Sequence, residues 1–505
     1  MWALALLVAA SVVAPWKDDP GVILLHRQAG MAAPENTVPA LEAAVGQGAD
    51  GVEIDVRRTA DGVFVLYHDD WLLQELGAGG RIEELTLAQA LELDIGSRWG
   101  DQWAGLSVPL LVDVLSFCRA NDLLIHLDIK TPGTYDQIMG LVDDEGCRDL
   151  VQVAGGHAPD DAHGVEVPWL GWNYLEGGEE DPSVMAEVVA NAPEGPWRCW
   201  ADDARSLVMA LGREPWARDF VPYVSTADQV LADLPVPDRP VRTVDDLADP
   251  DPNVRERACT ALAEHPDPAA LRQLVDLAAS DPDHQVRLEA CWALGALGDP
   301  SAVPVLSELA LCSAEDAEMP ELAEIIYLKV ASACALVRIG GEDAEGTIQR
   351  LAHSGEDLDP ALAGLALAAY GGADVVPQIV ALLSDAESGA DVAGFVVPHL
   401  GRFGVSAAPA YLSALDIEGW PSRHCVFWLA QIGDEAIPEV EAFILDDTRS
   451  NASRRRAALA LYWMSTPQAA TTRDRLSRDG TPAPEVRDAL VLPRPWAHDH
   501  DTEGD

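Results

Sequence analysis

From Gly21 to about Pro240, short apolar runs alternate with stretches whose apolar positions recur at helical spacing. The runs are Gly21–His26, Gly51–Val56, Val63–His68, Leu123–Lys130, Leu150–Ala154, Val165–Gly171, Trp197–Ala201 and Phe220–Ser225. Between many of them the spacing predicts helices: Val38–Gln47, Thr86–Leu93, Leu110–Asn121, Tyr135–Asp143, Pro182–Asn191 and Ala204–Leu211. Some eight strands with intervening helices predict an α/β fold, a (β/α)8 TIM-type barrel over residues 20–238. A doubly wound sheet is the alternative.

The pattern then changes. From about Val241 the strand signal stops, and Asn253–Leu262 (NVRERACTAL) recurs as Gln285–Leu294 (QVRLEACWAL), an offset of 32. The same offset relates Asp249-Pro250 to Asp281-Pro282 and Asp267-Pro268 to Asp299-Pro300. Further on, a Gly ends one helix and a Pro opens the next, as in Gly298/Pro304, Gly371/Pro377, Gly404/Pro409 and Gly433/Pro438. Helix pairs with apolar faces cannot stand alone, so this pattern predicts an all-α solenoid over residues 241–490. The stretch resembles HEAT repeats of the D-P-x-x-x-V-R-x-x-A type, and the resemblance implies a docking surface for a protein partner. Because the motifs that carry chemistry all precede Gly140, residues from about Val241 onward are expected to be dispensable for it.

Composition adjusts this picture at the edges. The chain has 505 residues, too many for one core. A net charge of -51 with only three lysines (Lys17, Lys130 and Lys329) argues against nucleic acid or an anionic membrane surface as a general partner. A phosphate ester remains admissible where a cation inverts the local field. Eight scattered cysteines without a CxxC pair read as small buried side chains. Met1–Ala14 is apolar with small residues near its end, so residues 1–16 read as a signal peptide or membrane-associated segment. That favours export (periplasmic, extracellular or membrane-tethered), with a cytoplasmic protein as the alternative. Residues 491–505 form an acidic tail expected to be disordered.

Chemistry concentrates in four segments of the first half: His26-Arg27-Gln28 with Pro34–Thr37, Glu53-Ile54-Asp55, His68-Asp69, and Asp128-Ile129-Lys130. Residues two apart on a strand share a face, so Glu53 with Asp55, and Asp128 with Lys130, point together. Barrel enzymes gather such groups at the C-terminal ends of their strands. Three carboxylates on neighbouring strands repel unless a cation lies among them, and an all-oxygen set selects a hard divalent cation such as Mg2+ or Ca2+. Two imidazoles titrate where proton exchange is useful, and Arg27 with Lys130 suits phosphoryl charge.

Read in order, HRQAGMAAPENT (His26–Thr37), GADGVEIDV (Gly48–Val56), TADGVFVLYHD (Thr59–Asp69) and LDIK (Leu127–Lys130) resemble the glycerophosphodiester phosphodiesterase family. Its pattern is H-R-G, P-E-N-T, G-A-D-x-x-E-x-D-V, T-x-D-G-x-x-V-x-H-D and E-x-K. The resemblance implies hydrolysis of a small glycerophosphodiester to an alcohol and glycerol phosphate. It implies His26 and His68 as the acid/base pair, Glu53 and Asp55 as metal ligands, and Arg27 and Lys130 on the phosphate. Asp128 stands where the family has its third metal-ligand Glu, and Gln28 stands where it has Gly. The alternative is an interaction protein whose barrel binds a phosphodiester without cleaving it.

Overall fold

The structure is a computed structural model that describes residues 21–28, 32–69, 72, 80–154, 181–191, 197–201, 203–213, 221–234, 243–313, 321–356, 358–385, 388–478 and 482–492. The apolar run Met1–Ala14, the expected strand Val165–Gly171 and the tail from residue 493 lie outside the described residues. Contacts divide the chain into two compact units. One takes in the chain up to His68 and Val108–Asp233; the other takes in Asp69–Ser107 and Leu234–Leu492.

The first unit is built on a parallel sheet. Its strands are β1 (Gly21–Leu25), β2 (Gly51–Arg58), β3 (Phe64–Leu66), β4 (Leu124–Ile129), β5 (Val151–Ala154) and β6 (Trp197–Ala201). The order is β5-β4-β2-β1-β6, every pairing on this path being parallel. β1, β2 and β4 are buried almost throughout, so apolar residues fill most of their length and the polar ones among them are enclosed. Ile23, Leu25, Val52, Ile54, Val56, Ile125, Leu127 and Ile129 form the centre of one core with helices Val38–Gln47 and Leu111–Ala120. Gly51 lets these strands close up: a Cβ there would lie 2.5 Å from the Leu124 Cβ and 2.6 Å from Leu24 Cδ2.

Two expectations about strands need correction. The run Val63–His68 gives β3, but β3 is antiparallel to β2, with Val56 opposite Leu66 and Arg58 opposite Phe64. Five residues, Thr59–Val63, join them. That is enough for a hairpin and far too few for a parallel crossover, which needs about a dozen. Thr59 closes the turn, its hydroxyl donating to the Val63 carbonyl and accepting from the Val63 N–H, while Gly62 takes φ 94°. The described part of the eighth expected strand, residues 221–225, carries no strand pairing.

The second unit is mostly helical, and no strand occurs among its described residues. Helix His284–Leu297 packs against both Pro252–Glu264 and Glu321–Ile339, so neighbours along the chain are neighbours in space. The repeated residues explain the repeat: Arg255 forks onto Asp281 with both bonds at 2.8 Å, tying one repeat to the next. Asp267 and Asp299 each cap a turn that opens on Pro. Gly298 is a left-handed cap as expected, whereas Gly371 ends its helix extended at φ −69°. There the need is space: a Cβ on Gly371 would meet the Leu367 carbonyl at 2.6 Å. The seven cysteines whose side chains are described are free, and all but Cys312 are buried.

Candidate active site

β1, β2 and β4 lie side by side and deliver the sequence-predicted residues to one place. Asp55 on β2 is in register with Asp128 on β4, and Glu53 with His126. Glu53, Asp55 and Asp128 each offer a carboxylate oxygen within 4.8 Å of the others. Glu53 and Asp55 are buried, while Asp128 is partly open. Lys130, just past β4, places its Nζ 2.7 Å from Asp128 Oδ2 and 3.0 Å from Asp55 Oδ1.

His26 and Arg27 follow β1 directly in a single 3-10 turn. Arg27 sits in the left-handed region at φ 47°, ψ 34°, a conformation that costs an L-residue about 1–2 kcal/mol. The turn aims its N–H at the cluster, 2.9 Å from Glu53 Oε2. The guanidinium spans two partners: Nη1 forks onto Glu35 at 3.0 and 3.1 Å, and Nη2 lies 2.8 Å from His68 Nε2. Guanidinium has only donors, so in this contact Nε2 of His68 is the acceptor.

His68 reaches the site by the β2–β3 hairpin rather than from the end of a parallel strand. The antiparallel return brings Tyr67 N–H to the Asp55 carbonyl at 3.0 Å, and the Arg57 guanidinium holds the His68 carbonyl at 2.7 Å. The PENT segment contributes more than a helix start. Thr37 caps Val38–Gln47, its hydroxyl accepting from Ala40 N–H. Asn36, next to this cap, holds Asp55: Nδ2 donates to Asp55 Oδ2 at 2.8 Å and Oδ1 accepts the Asp55 N–H at 3.2 Å. Its φ of 53° is one that Asn tolerates.

The electrostatics follow from burial. Burial, then the neighbouring Asp55 charge, pushes the Glu53 carboxyl well above the ordinary carboxylate range, against the pull of His26 and Arg27. Burial opposes the charge on Arg27, but Glu35, Asp55 and Glu53 outweigh it and hold the guanidinium's pKa above its usual value. Lys130 is raised likewise, with Asp55 and Asp128 outweighing its burial. A donor set of three carboxylates, all oxygen, fits a hard divalent cation.

Comparison with known proteins bears on the same residues. Residues 26–152 match the Glycerophosphoryl diester phosphodiesterase family. The candidate residues His26, Arg27, Glu53, Asp55, His68, Asp128 and Lys130 all fall inside this match. Residues 243–318 match HEAT repeats. A glycerophosphodiester phosphodiesterase of Caldanaerobacter subterraneus subsp. tengcongensis is 29% identical over 138 residues, covering 26% of this chain and 57% of the relative. Glycerophosphodiester phosphodiesterase 1 of Rattus norvegicus is 34% identical over 109 residues, covering 21% and 33%. The chain thus spans about half, or less, of the curated relatives it matches. A crystal structure of glycerophosphodiester phosphodiesterase from Agrobacterium tumefaciens aligns at a TM-score of 0.33 and 20% identity, covering 37% of this chain and 99% of that one.

Proposed function

We propose that the first unit hydrolyses a small glycerophosphodiester to an alcohol and glycerol phosphate, with a divalent cation, Mg2+ or Ca2+, as cofactor. The observation that carries this is the gathering of Glu53, Asp55 and Asp128 within 4.8 Å beside Lys130, Arg27 and His68. Glu53, Asp55 and Asp128 would hold the cation, which supplies charge neutralisation and polarisation of a phosphoryl oxygen when bound. Lys130 and Arg27 bind the remaining phosphate charge. His26 and His68 serve as the acid/base pair: one takes a proton from the attacking water as its oxygen bonds to phosphorus, and the other gives one to the departing alcohol oxygen as the P–O bond breaks. Asn36 and Glu35 keep Asp55 and Arg27 in place.

The same reading takes the sheet unit as a closed (β/α)8 barrel over residues 20–238. It takes residues 241–490 as a HEAT solenoid that docks a protein partner. The test is direct. Full-length protein is incubated with glycerophosphocholine and Mg2+ or Ca2+, and the products are followed by phosphorus NMR. The diester resonance should give way to that of glycerol phosphate. Saturable binding of the diester without product would favour the non-catalytic alternative.

A further inference from the structure

The helices of the second unit run in two rows. In the first, Pro252–Glu264, His284–Leu297, Glu321–Ile339, Asp359–Tyr370 and Gly389–Val396 each pack against the next. In the second, Leu271–Ser280 packs against Val303–Ala310, and that helix against Glu342–Ala352. The row resumes with Val376–Leu383, which packs against Ala408–Ala414. Between Glu342–Ala352 and Val376–Leu383 it is open. Among the described residues these two helices make no comparable contact, although the first-row helices they rest on, Glu321–Ile339 and Asp359–Tyr370, pack against each other.

The opening is a cavity of about 640 Å³. Its floor is apolar, with Ile348, Leu367 and Leu382 at its base. The fold does not require such a gap, since neighbouring helices of the same row close the equivalent one. The rim carries charge of one sign: Glu356, Asp385 and Asp391 line it, and no Lys or Arg does. The buried ammonium of Lys329 lies 3.2 Å from Glu356 and 2.6 Å from Asp359. Two carboxylates thus share one cation, and the group stays negative. Asp385, whose carboxylate accepts from Ser388, and Asp391 are exposed and add to it. His353 is turned back onto its own helix, its Nδ1 donating to the Gln349 carbonyl at 2.8 Å. Gln349 and Gln378, exposed on the two facing helices, put an amide on either side. An amide both donates and accepts, as a peptide backbone does.

We infer that this opening binds a short extended segment of a partner protein in which arginine or lysine alternates with aliphatic side chains. The inference rests on the docking reading above and gives it a place and a partner chemistry. A cavity of this volume is the size of a small-ligand pocket. It holds a few side chains, so the occupant is a short segment. An aliphatic side chain covers the floor at Ile348, Leu367 and Leu382, removing apolar surface from water. The cationic side chains meet the rim carboxylates, which attract them and reject an acidic segment. The main chain meets Gln349 and Gln378. A second copy of the chain is a poor occupant, because a molecule of net charge -51 repels its like.

The test uses the full-length protein and fluorescence polarisation with short labelled peptides of three compositions: leucine alternating with arginine, leucine with glutamate, and serine with arginine. The leucine/arginine peptide should bind saturably, and the other two about tenfold more weakly or less. Two variants locate the site. Ala381→Trp, at an exposed position of helix Val376–Leu383, fills the cavity. Asp391→Lys reverses one rim charge at an exposed position and decides alone if Ala381→Trp does not fold. Ala381→Trp should weaken the leucine/arginine peptide about tenfold or more. Asp391→Lys should weaken it about 3- to 10-fold, the scale of an exposed ion pair turned to repulsion, and strengthen the leucine/glutamate peptide. Equal affinity in parent and folded variants overturns the inference and leaves the docking reading standing, with the peptide seated elsewhere. Leucine/glutamate binding as tight as leucine/arginine in the parent overturns it too. So does self-association in sedimentation that Ala381→Trp abolishes, which seats a second copy in the opening. No saturable binding of the three peptides also overturns it; an array of other compositions then decides the docking reading itself, which falls if none binds.

Discussion

Asp128 stands where the glycerophosphodiester phosphodiesterase pattern that this site resembles has Glu, and the structure gives the difference a physical setting. In register with Asp55, and joined to it through Lys130, its carboxylate stays within reach of Glu53 and Asp55 despite the shorter side chain. Asp128→Asn keeps the shape and removes the charge, so it should lose most of the affinity for Mg2+ or Ca2+. Asp128→Glu should preserve or tighten it. Calorimetric titration of the three proteins reads this, and parent-like binding by Asp128→Asn would remove Asp128 from the ligand set. His26→Ala and His68→Ala should each lower kcat by about 10²–10⁴, the scale of a lost general acid or base. Steady-state rates at saturating substrate check it. The residues brought together here were legible in the sequence, because strand alternation and motif spacing fix which side chains share a face. The role of Asn36 was not. Its grip on Asp55 runs between segments 19 positions apart, and nothing local distinguishes it from a helix cap.

Among the elements, helices were read most closely: Val38–Gln47 has the expected bounds, and Tyr135–Asp144 is one residue longer than its pattern. Caps and breakers mark such ends locally. Strand partners are not marked locally, and β3 was mistaken for a parallel strand although the five-residue connection to β2 was countable. The expected helix Thr86–Leu93 exists as Leu87–Leu91, but it packs with the helical unit. Amphipathic spacing shows that a helix has a buried face, not what covers it. The contact among β1, β2 and β4 at Gly51 is the tightest test of the sheet. Gly51→Ala forces a Cβ against Leu124 and Leu24, and overpacking of this kind costs about 1–3 kcal/mol. Denaturant unfolding should show a loss of that size, and an unchanged midpoint would mean the strands have room to part.

At the scale of the whole molecule, Glu289, buried in helix His284–Leu297 of the helical unit, ties stability to pH. Burial, reinforced by the nearby Glu84 and Glu256 charges, pushes its carboxyl from the ordinary 4.5 up to about 8, against the Gly80 and Thr260 hydrogen bonds. The folded state thus holds a proton that the unfolded chain releases near pH 4.5. Its contribution is fully present below that pH and is lost as pH rises toward about 8. Relative to Glu289→Gln, the parent should lose thermal stability steadily between about pH 5 and pH 8 and no further above it. A difference in Tm that stays constant across this window would show that Glu289 is ionised throughout in the fold. Whether the carboxylates on β2 and β4 hold a cation that hydrolysis needs can be measured in one experiment. Glycerophosphocholine turnover by the full-length protein is followed first in excess chelator, then after Mg2+ or Ca2+ is restored, with Asp55→Asn run in parallel. The account predicts no turnover in chelator, recovery on adding the cation, and little or no recovery in Asp55→Asn. Full turnover in excess chelator, or recovery in Asp55→Asn equal to that of the parent, would contradict it.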